Sequence, residues 1–386
     1  MHEQRTVALT PSIFGRYRYL PPLFLALFTL ITRLLCAQAV YFADGPRQLQ
    51  AIVARTYIIQ PPGYWLFNRI AGAFSDPATA IACMNILFSV AGVEMLYFTA
   101  LLFTSCRNAF LAALAYSSIF YIWFSGEVHS TYASQIFFPV SVFYLLVRFE
   151  RERKRWLLYL SALVFAIGAG MRPSDGIFLI PMLLYFATTR LSRLLAASYL
   201  ALITILCLGW VIPTEFAFKA SEAGTHGAVV YVGSIMRVRS ILTGINDGTL
   251  ANVARFVLPL LVVFWLVIST ILLKIYRDWK QFETQLLLVW LLPASLFFTL
   301  VYISDAPYLN CITATIVLLA LNAPRKLALI AAFNAAIFLF FFPIPSQHLA
   351  INVWNCDVGK YTLFAVRHQW QPNLSDVQAK ALAGKD

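Results

Sequence analysis

The sequence predicts an all-α protein, a polytopic transmembrane helical bundle. Two compositional observations indicate this class: 60% of the 386 residues are hydrophobic, and 12% are charged, against about 25% in a typical soluble domain. The third is the arrangement, because apolar residues form long continuous blocks such as 256–273, separated by short basic or proline-rich loops. Since these blocks do not alternate in polarity, they favour helices over a transmembrane barrel.

Hydropathy predicts about eleven spans, each close to the length that crosses a bilayer. In chain order they are 20–42, 79–104, 109–125, 131–147, 157–170, 176–189, 194–212, 254–273, 284–303, 308–322 and 327–343. The blocks at 109–125 and 157–189 are short, so tilted, broken or re-entrant helices are alternatives there. The spans define one transmembrane region, 1–343, which would hold any catalytic site, and a short outer tail, 344–386.

Basic residues predict the orientation of the spans. The loop 148–156 (RFERERKRW) is strongly basic, and Arg5, Arg16 and Arg18 precede the first span. Basic loops stay on the cytoplasmic side, so this loop and the N-terminus are predicted inside. Two long loops then lie outside, a first outer loop at 43–78 and a second at 213–253. The net charge of +12 indicates contact with anionic membrane lipid, and no nucleic acid partner is expected.

The first outer loop has an amphipathic pattern. Between 55 and 70, aromatic and aliphatic residues alternate with arginine, glutamine and asparagine, which predicts short helices along the membrane surface. The pair Pro61–Pro62 separates two such helices, because proline ends one helix and suits the first turn of the next.

Asp44 is the first candidate catalytic residue. It follows the first span directly, and Gly45 and Pro46 predict a turn at the membrane boundary. A carboxylate there can act as a general base that takes a proton from an acceptor hydroxyl or amine. The alternative is a structural Asp that caps the next helix.

An Asp after the first span, followed by PPGYW at 61–65, resembles the GT-C glycosyltransferases. It is most similar to the bacterial members near the protein O-mannosyltransferases, the aminoarabinose transferase of lipid A and the rhizobial lipopolysaccharide-core transferases. The segments GEVHSTYASQ (126–135), GAGMRPSDG (168–176) and SDAPYLN (304–310) resemble further parts of the family pattern. The resemblance implies about a dozen spans, surface helices in the first outer loop, and a polyprenyl-phosphate sugar as donor.

A lipid-phosphate donor requires cations near the membrane surface, and arginine suits phosphate. The predicted donor-binding residues are Arg55, Arg172, Arg237 and Arg239. Arg172 is the strongest candidate, because it lies between two short spans where an unpartnered charge is costly; the alternative is a structural pair with Asp175. The predicted substrate-binding residues are Gln60, Tyr64, Glu127, His129, Asp305 and Tyr308.

No cofactor is expected from the sequence. Glu127 and His129 are two apart, and a His–carboxylate pair can bind metal or move a proton, but two ligands do not make a site. Some relatives carry an acidic–basic pair before the double proline, where this chain has Ile59 and Gln60. A divalent metal is therefore not supported.

These features together predict glycosyl transfer to a lipid, glycan or protein acceptor, on the periplasmic face of a bacterial inner membrane. The absence of a glycine-rich phosphate loop argues against a nucleotide-sugar enzyme. A transporter or flippase of lipid-linked sugars is one alternative, and it would need ionisable residues deep inside spans, where the sequence has Arg33 and Glu94. A non-catalytic membrane assembly protein is the other.

Overall fold

A computed structural model of the chain describes residues 19–36, 40–41, 45–58, 63–220, 244, 247–301 and 306–340. Within them the architecture is helical, as predicted. The first half contains α1 (Leu20–Cys36), β1 (Val40–Tyr41), α2 (Gly45–Val53), α3 (Trp65–Ala71), α4 (Pro77–Leu101), α5 (Cys106–Ser118), α6 (Phe120–Ser125), β2 (Val128–His129), α7 (Ser134–Glu152) and α8 (Arg155–Met171).

The second half continues with α9 (Pro173–Arg190), α10 (Arg193–Ala220), α11 (Asp247–Phe264), α12 (Ile268–Asp278) and α13 (Phe282–Leu296). A π-helical turn (Phe297–Val301) extends α13, and a 3₁₀ turn (Ala306–Leu309) leads into α14 (Asn310–Leu319) and α15 (Pro324–Phe340). The short helices α2 and α3 lie in the first outer loop, where the sequence predicts amphipathic helices.

Helices coincide with every predicted span, but the number of crossings is not confirmed. By length and composition, three described helices are able to cross a membrane: Pro77–Leu101, Arg193–Ala217 and Phe282–Val301. A fourth is added if Phe256–Phe264 and Ile268–Asp278, bent by 94° at their junction, count as one broken span. The protein is thus an integral membrane protein, and the count of about eleven stays a prediction.

Two predicted boundaries differ in the structure. The single span expected at 254–273 is divided between α11 and α12, which meet at a bend of 94° between Phe264 and Ile268. The seventh predicted span corresponds to α10, which continues to Ala220 with Pro213 inside it, so it extends into the predicted second outer loop.

Helix α7 lies at the centre of the bundle, where glycines allow two neighbours to approach closely. A Cβ at Gly92 of α4 would lie 2.5 Å from the carbonyl oxygen of Ile136, and one at Gly168 of α8 would lie 2.6 Å from Cβ of Phe138. Small residues of this kind allow membrane helices to pack at short distance, where van der Waals contact replaces the hydrophobic effect.

Buried polar contacts connect α1 to the rest of the bundle. Arg33 is fully buried; its Nε donates to Ser89 Oγ at 3.2 Å and its Nη2 donates to the Ser117 carbonyl at 2.7 Å. The guanidinium carbon also lies 4.9 Å from the ring centroid of Trp123. These contacts with α4, α5 and α6 give Arg33 a structural role. A transporter would instead need the charge of this residue in an ion or proton relay.

Candidate functional site

Arg172 lies at the junction of α8 and α9, at one end of the bundle. Its backbone is extended (φ −145°, ψ 92°), as expected for a residue before proline, and Pro173 starts α9. The chain therefore stops one helix and begins the next within one residue. The side chain is almost completely buried, with 2% of its surface exposed.

Polar residues on both sides hold the buried guanidinium. Arg172 Nη1 donates to Thr131 Oγ1 at 2.6 Å, and Nε lies 3.6 Å from Asp175 Oδ1 in an ion pair. The same Asp175 oxygen accepts a hydrogen bond of 2.6 Å from Gln135 Nε2. Asp175 is buried as well, so its carboxylate balances the charge of Arg172, as the structural alternative from the sequence proposes.

Three tyrosines surround the same guanidinium. Its central carbon lies 4.1 Å from the ring centroid of Tyr132, 5.4 Å from that of Tyr64 and 5.5 Å from that of Tyr308. The rings of Tyr132 and Tyr308 meet edge to face at 5.4 Å. Cation–π contact with a desolvated arginine is worth about 2 kcal/mol or more. The Arg172 cluster is defined as Arg172, Thr131, Tyr132, Asp175, Tyr64 and Tyr308.

Separate parts of the chain bring the tyrosines together. Tyr64 precedes α3 with a left-handed backbone (φ 54°, ψ 33°), and Tyr308 lies in the 3₁₀ turn before α14. A phenol keeps its proton at neutral pH, so each tyrosine hydroxyl is a neutral group that can donate a hydrogen bond. The cluster therefore combines one fixed cation with several neutral donors.

A short parallel ladder fixes the neighbouring segment. The backbones of Val40 and Tyr41 pair with Val128 and His129, respectively, and Asn85 Nδ2 donates to the Val128 carbonyl at 2.6 Å. The ladder places the chain after the first helix against the segment 126–135, from which Thr131 and Tyr132 reach Arg172. Two-residue strands with no turn signal have no pattern that hydropathy can detect, so they were not predicted from the sequence.

Glu127 and His129 are buried in this segment, with 3% and 1% of their surfaces exposed. Burial lowers the pKa of His129 to about 4, against the opposing effect of Asp76, which would raise it. The imidazole is therefore neutral at pH 7 and suited to hydrogen bonding or proton acceptance. In the described residues, no group of three or more His, Cys, Asp or Glu side chains is arranged to hold a metal ion.

The structure places the predicted site residues in three groups. It brings Arg172, Tyr64 and Tyr308 together, with Glu127 and His129 in the adjoining segment. Arg55 is exposed in the turn after α2 and has a positive φ of 56°, and it makes no side-chain hydrogen bond or ion pair with another described residue. Five predicted residues lie outside the described residues: Asp44, Gln60, Arg237, Arg239 and Asp305.

The structure adds four polar residues that were not singled out from the sequence: Thr131, Tyr132, Gln135 and Asn310. Three of them belong to GEVHSTYASQ and the fourth to SDAPYLN, so the segments were recognised without these positions. Asn310 is buried and its Nδ2 donates to Ser125 Oγ at 2.7 Å. The detectable signal was an accumulation of polar residues between two apolar blocks.

Comparison with known proteins identifies the class of fold. The sequence model of the family described as dolichyl-phosphate-mannose-protein mannosyltransferase matches residues 60–215, a range that includes Tyr64, Thr131, Tyr132 and Arg172. No curated protein matches the sequence at a significant level. The family match and the structural matches described next agree that the fold is that of the GT-C glycosyltransferases. They confirm the resemblance predicted from the sequence.

The structural matches include two crystal structures of ArnT from Cupriavidus metallidurans. The structure of ArnT bound to undecaprenyl phosphate matches with a TM-score of 0.63 and 14% sequence identity, over 96% of this chain and 75% of that one. The apo structure of ArnT matches with a TM-score of 0.62 and 12% identity, over the same shares of the two chains.

Proposed function

We propose that the protein transfers a glycosyl group from a polyprenyl-phosphate sugar to a lipid, glycan or protein acceptor, at the end of the bundle that holds the Arg172 cluster. One observation carries this proposal: a buried arginine packs against three tyrosine rings and one threonine hydroxyl. Its Nε lies 3.6 Å from Asp175 Oδ1 and makes no hydrogen bond to any described residue. Burial of a charge is costly unless the charge has a function or full compensation. A phosphate oxygen is a suitable partner for that donor.

The fold supports the same class of donor. The matched crystal structure of ArnT holds undecaprenyl phosphate, and the matched family is described as using dolichyl-phosphate mannose. Undecaprenyl phosphate and dolichyl-phosphate mannose both carry a phosphate on a polyprenyl chain. The chain remains in the bilayer while the phosphate reaches the membrane surface. This chemistry suits a buried cation near the ends of apolar helices.

In the proposed reaction, an acceptor hydroxyl or amine attacks the anomeric carbon of the sugar. The bond from that carbon to the phosphate oxygen breaks, and polyprenyl phosphate leaves with the electron pair. Arg172 stabilises the charge that develops on this phosphate, while the tyrosine hydroxyls offer further donors. Asp175 is a positioning residue, because it holds the guanidinium in place through its ion pair.

Asp44 is proposed as the general base that receives the acceptor's proton. Its support is its place in the sequence, directly after the first predicted span and three residues after β1. A single displacement would invert the configuration at the sugar carbon. The proposed orientation places this end on the periplasmic side of a bacterial inner membrane.

Labelled donors test the proposal in membranes that contain the purified protein. Undecaprenyl phosphate carrying mannose or 4-amino-arabinose is supplied, and transfer to an endogenous lipid or protein fraction is measured. We expect transfer with the wild type and a loss on the order of 100-fold for Asp44→Asn.

Asp76→Asn is the matched control, because an Asn keeps the helix cap at that position, and transfer should remain at the wild-type level. Equal transfer by Asp44→Asn and the wild type would remove Asp44 from the mechanism. Absence of transfer from either donor, in folded protein, would contradict the proposed donor classes.

A further inference from the structure

A cavity of about 160 Å³ lies at the opposite end of the bundle from the Arg172 cluster. Its lining includes Phe103, Lys274, Glu283, Thr284, Leu318 and Asn322. These residues come from the chain after α4, the last part of α12, the start of α13 and the end of α14. The cavity is thus formed where four helices begin or end, and none of its residues was used in the proposed reaction.

Helices α13 and α14 show that the cavity and the Arg172 cluster are separate. Asn310 starts α14 next to Tyr308, whereas Leu318, eight residues later, lines the cavity; eight residues of helix span about 12 Å. Likewise, Glu283 lies in the first turn of α13, and Phe298, beyond its other end, contacts Tyr308 with ring centroids 4.8 Å apart. A ligand in the cavity cannot touch the candidate site.

The cavity presents one cation and one carboxylate. Lys274 Nζ lies 3.1 Å from Asp278 Oδ2, and since an ammonium group has three donors, two remain for a ligand. Asp278 is also paired with Arg277, at 3.2 Å. Glu283, by contrast, forms no hydrogen bond or ion pair with any described residue, although it is partly buried. Thr284 and Asn322 add neutral polar groups.

The surroundings of the cavity suit the membrane interface. Helix α12 turns by 94° from α11 and carries Lys274, Arg277 and Asp278, while Leu273 and Tyr276 on the same helix are 64% and 82% exposed. Trp279 follows and is exposed too. An amphipathic helix with exposed apolar and aromatic residues lies at the level of the lipid headgroups.

We propose that this cavity binds the aminoethyl phosphate headgroup of a membrane phospholipid. Lys274 contacts the phosphate, and Glu283 accepts hydrogen bonds from the primary ammonium. Phe103 and Leu318 provide apolar surface for the adjoining carbon atoms. A volume of 160 Å³ equals about five water molecules in the liquid, which is enough for a phosphate and a two-carbon amine but not for a large sugar headgroup.

Charge distinguishes this ligand from other headgroups. An anionic glycerol headgroup satisfies Lys274 but leaves Glu283 facing a negative charge, which is unfavourable. A trimethylammonium headgroup has the charge but no N–H to donate to the carboxylate. Aminoethyl phosphate offers both a phosphate oxygen and N–H donors. A serine headgroup offers them too, but its additional carboxylate would face Glu283, which is unfavourable.

Native mass spectrometry of the full-length protein tests the proposal. The protein is reconstituted in nanodiscs with equal parts of phosphatidylethanolamine, phosphatidylglycerol and phosphatidylcholine, and the lipids that remain bound after transfer to detergent are counted. We expect phosphatidylethanolamine to be retained about tenfold over each of the others, a ratio that corresponds to about 1.4 kcal/mol. Equal retention of the three lipids, or preference for either of the other two, overturns the proposal.

Two variants assign the two contacts. Glu283→Gln keeps the size of the side chain and removes its charge, so the preference for phosphatidylethanolamine over phosphatidylcholine should fall by about tenfold. Lys274→Met should lower retention of all three lipids, and Arg277 then remains as a partner for Asp278. Lys280→Met is the control, because Lys280 is exposed nearby and lies outside the cavity lining; retention should stay at the wild-type level.

An unchanged preference in Glu283→Gln contradicts the assignment of the ammonium contact. If Lys274→Met does not fold, as judged by thermal unfolding, the isosteric Glu283→Gln decides alone. Free phosphoethanolamine in excess distinguishes the sources of the ligand: displacement of the retained lipid shows that the soluble compound binds as well, and continued retention shows that the acyl chains contribute. Both results agree with a site for aminoethyl phosphate.

Discussion

The guanidinium of Arg172 lies against the ring of Tyr132, with 4.1 Å between the central carbon and the ring centroid. Thr131, the residue before Tyr132, accepts a hydrogen bond from Nη1 of the same arginine. Two consecutive residues thus hold the cation, one by a ring face and one by a hydroxyl. A planar group with several fixed donors satisfies both contacts at once, and a lysine ammonium does not.

Arg172→Lys should therefore lower glycosyl transfer strongly while the charge is kept. Loss of one preorganised donor to a developing anion costs on the order of 100-fold in rate, and we expect a decrease of about that size from an intact fold. Labelled-donor transfer in membranes measures it. Arg107→Lys is the control, since Arg107 is exposed and outside the Arg172 cluster; an active Arg172→Lys variant would show that the arginine has only a structural role.

The lowered pKa of the buried His129 imidazole predicts that the stability of the protein depends on pH. The folded protein holds the pKa of His129 near 4 against an ordinary value of 6.5, so between these values the unfolded chain binds more protons. Stability should accordingly be complete above pH 6.5 and fall as the pH decreases toward 4, by about 3 kcal/mol at most, since each pKa unit equals about 1.4 kcal/mol.

Chemical denaturation in detergent at several pH values measures this dependence. His129→Gln should flatten the curve between pH 6.5 and 4. Asp76 affects stability in a lower pH range. A hydrogen bond from the Thr79 side chain lowers its pKa below the ordinary 3.8, so its stabilising contribution is lost only below pH 3.8. A curve that keeps its slope in His129→Gln would exclude the imidazole as the cause.

The close approach of α4 and α7 at Gly92 predicts that no larger side chain fits at this position. In Gly92→Ala, the new Cβ would meet the Ile136 carbonyl oxygen at 2.5 Å, and the helices must separate. We expect a destabilisation of about 1–3 kcal/mol, which is typical of overpacking, seen as a lower unfolding temperature. Gly209→Ala is the matched control, because a Cβ added there would have no atom within 4 Å; alanine at that position should be neutral or stabilising.

The Asp76 side chain caps the start of α4, and its removal is predicted to lower the stability of the protein. Its Oδ1 accepts from the backbone N–H of Ala78 at 3.1 Å, and its Oδ2 accepts from Thr79 Oγ1 at 2.6 Å. Asp76→Ala removes these bonds, together with a third from the Thr79 backbone N–H to Oδ1 at 3.4 Å, and should cost about 1 kcal/mol of stability. Asp76→Asn should retain most of it. Thermal unfolding of the two variants side by side measures the difference, and equal losses would argue against capping as the reason.

The sequence predicted much of the fold because apolar blocks of bilayer length have few alternatives to helices. Arg172 and Tyr64 stand out locally, as an arginine between two apolar blocks and an aromatic residue after Pro61–Pro62, and Tyr308 is predicted from the family resemblance. The structure brings the three side chains together, and their roles in a site stay predictions. What the sequence missed depends on distant parts of the chain. The pairing of Val40 with Val128 and the approach of Thr131 to Arg172 join segments that no local pattern relates.

The break of the predicted eighth span has a similar origin. Residues 256–273 contain no charged residue, and the charges of α12 lie beyond the predicted span, at 274–278. The bend between Phe264 and Ile268 therefore falls inside a continuous apolar stretch, where hydropathy gives no signal. The roles predicted for Arg55, Arg172, Arg237 and Arg239 in donor binding stay predictions. So do those of Asp44 as general base and of the predicted substrate-binding residues.

We expect helix α12, which turns by 94° from α11 and exposes apolar and aromatic residues, to lie along one surface of the membrane. A helix of eleven residues is about 16 Å long and about 10 Å wide, so in that position it would take area from one leaflet only. The expected cross-section is then a wedge, broader at the depth of α12. In small vesicles, whose outer leaflet is larger than the inner one, such a wedge fits best with its broad end outward, so reconstitution should yield a biased and not a random insertion.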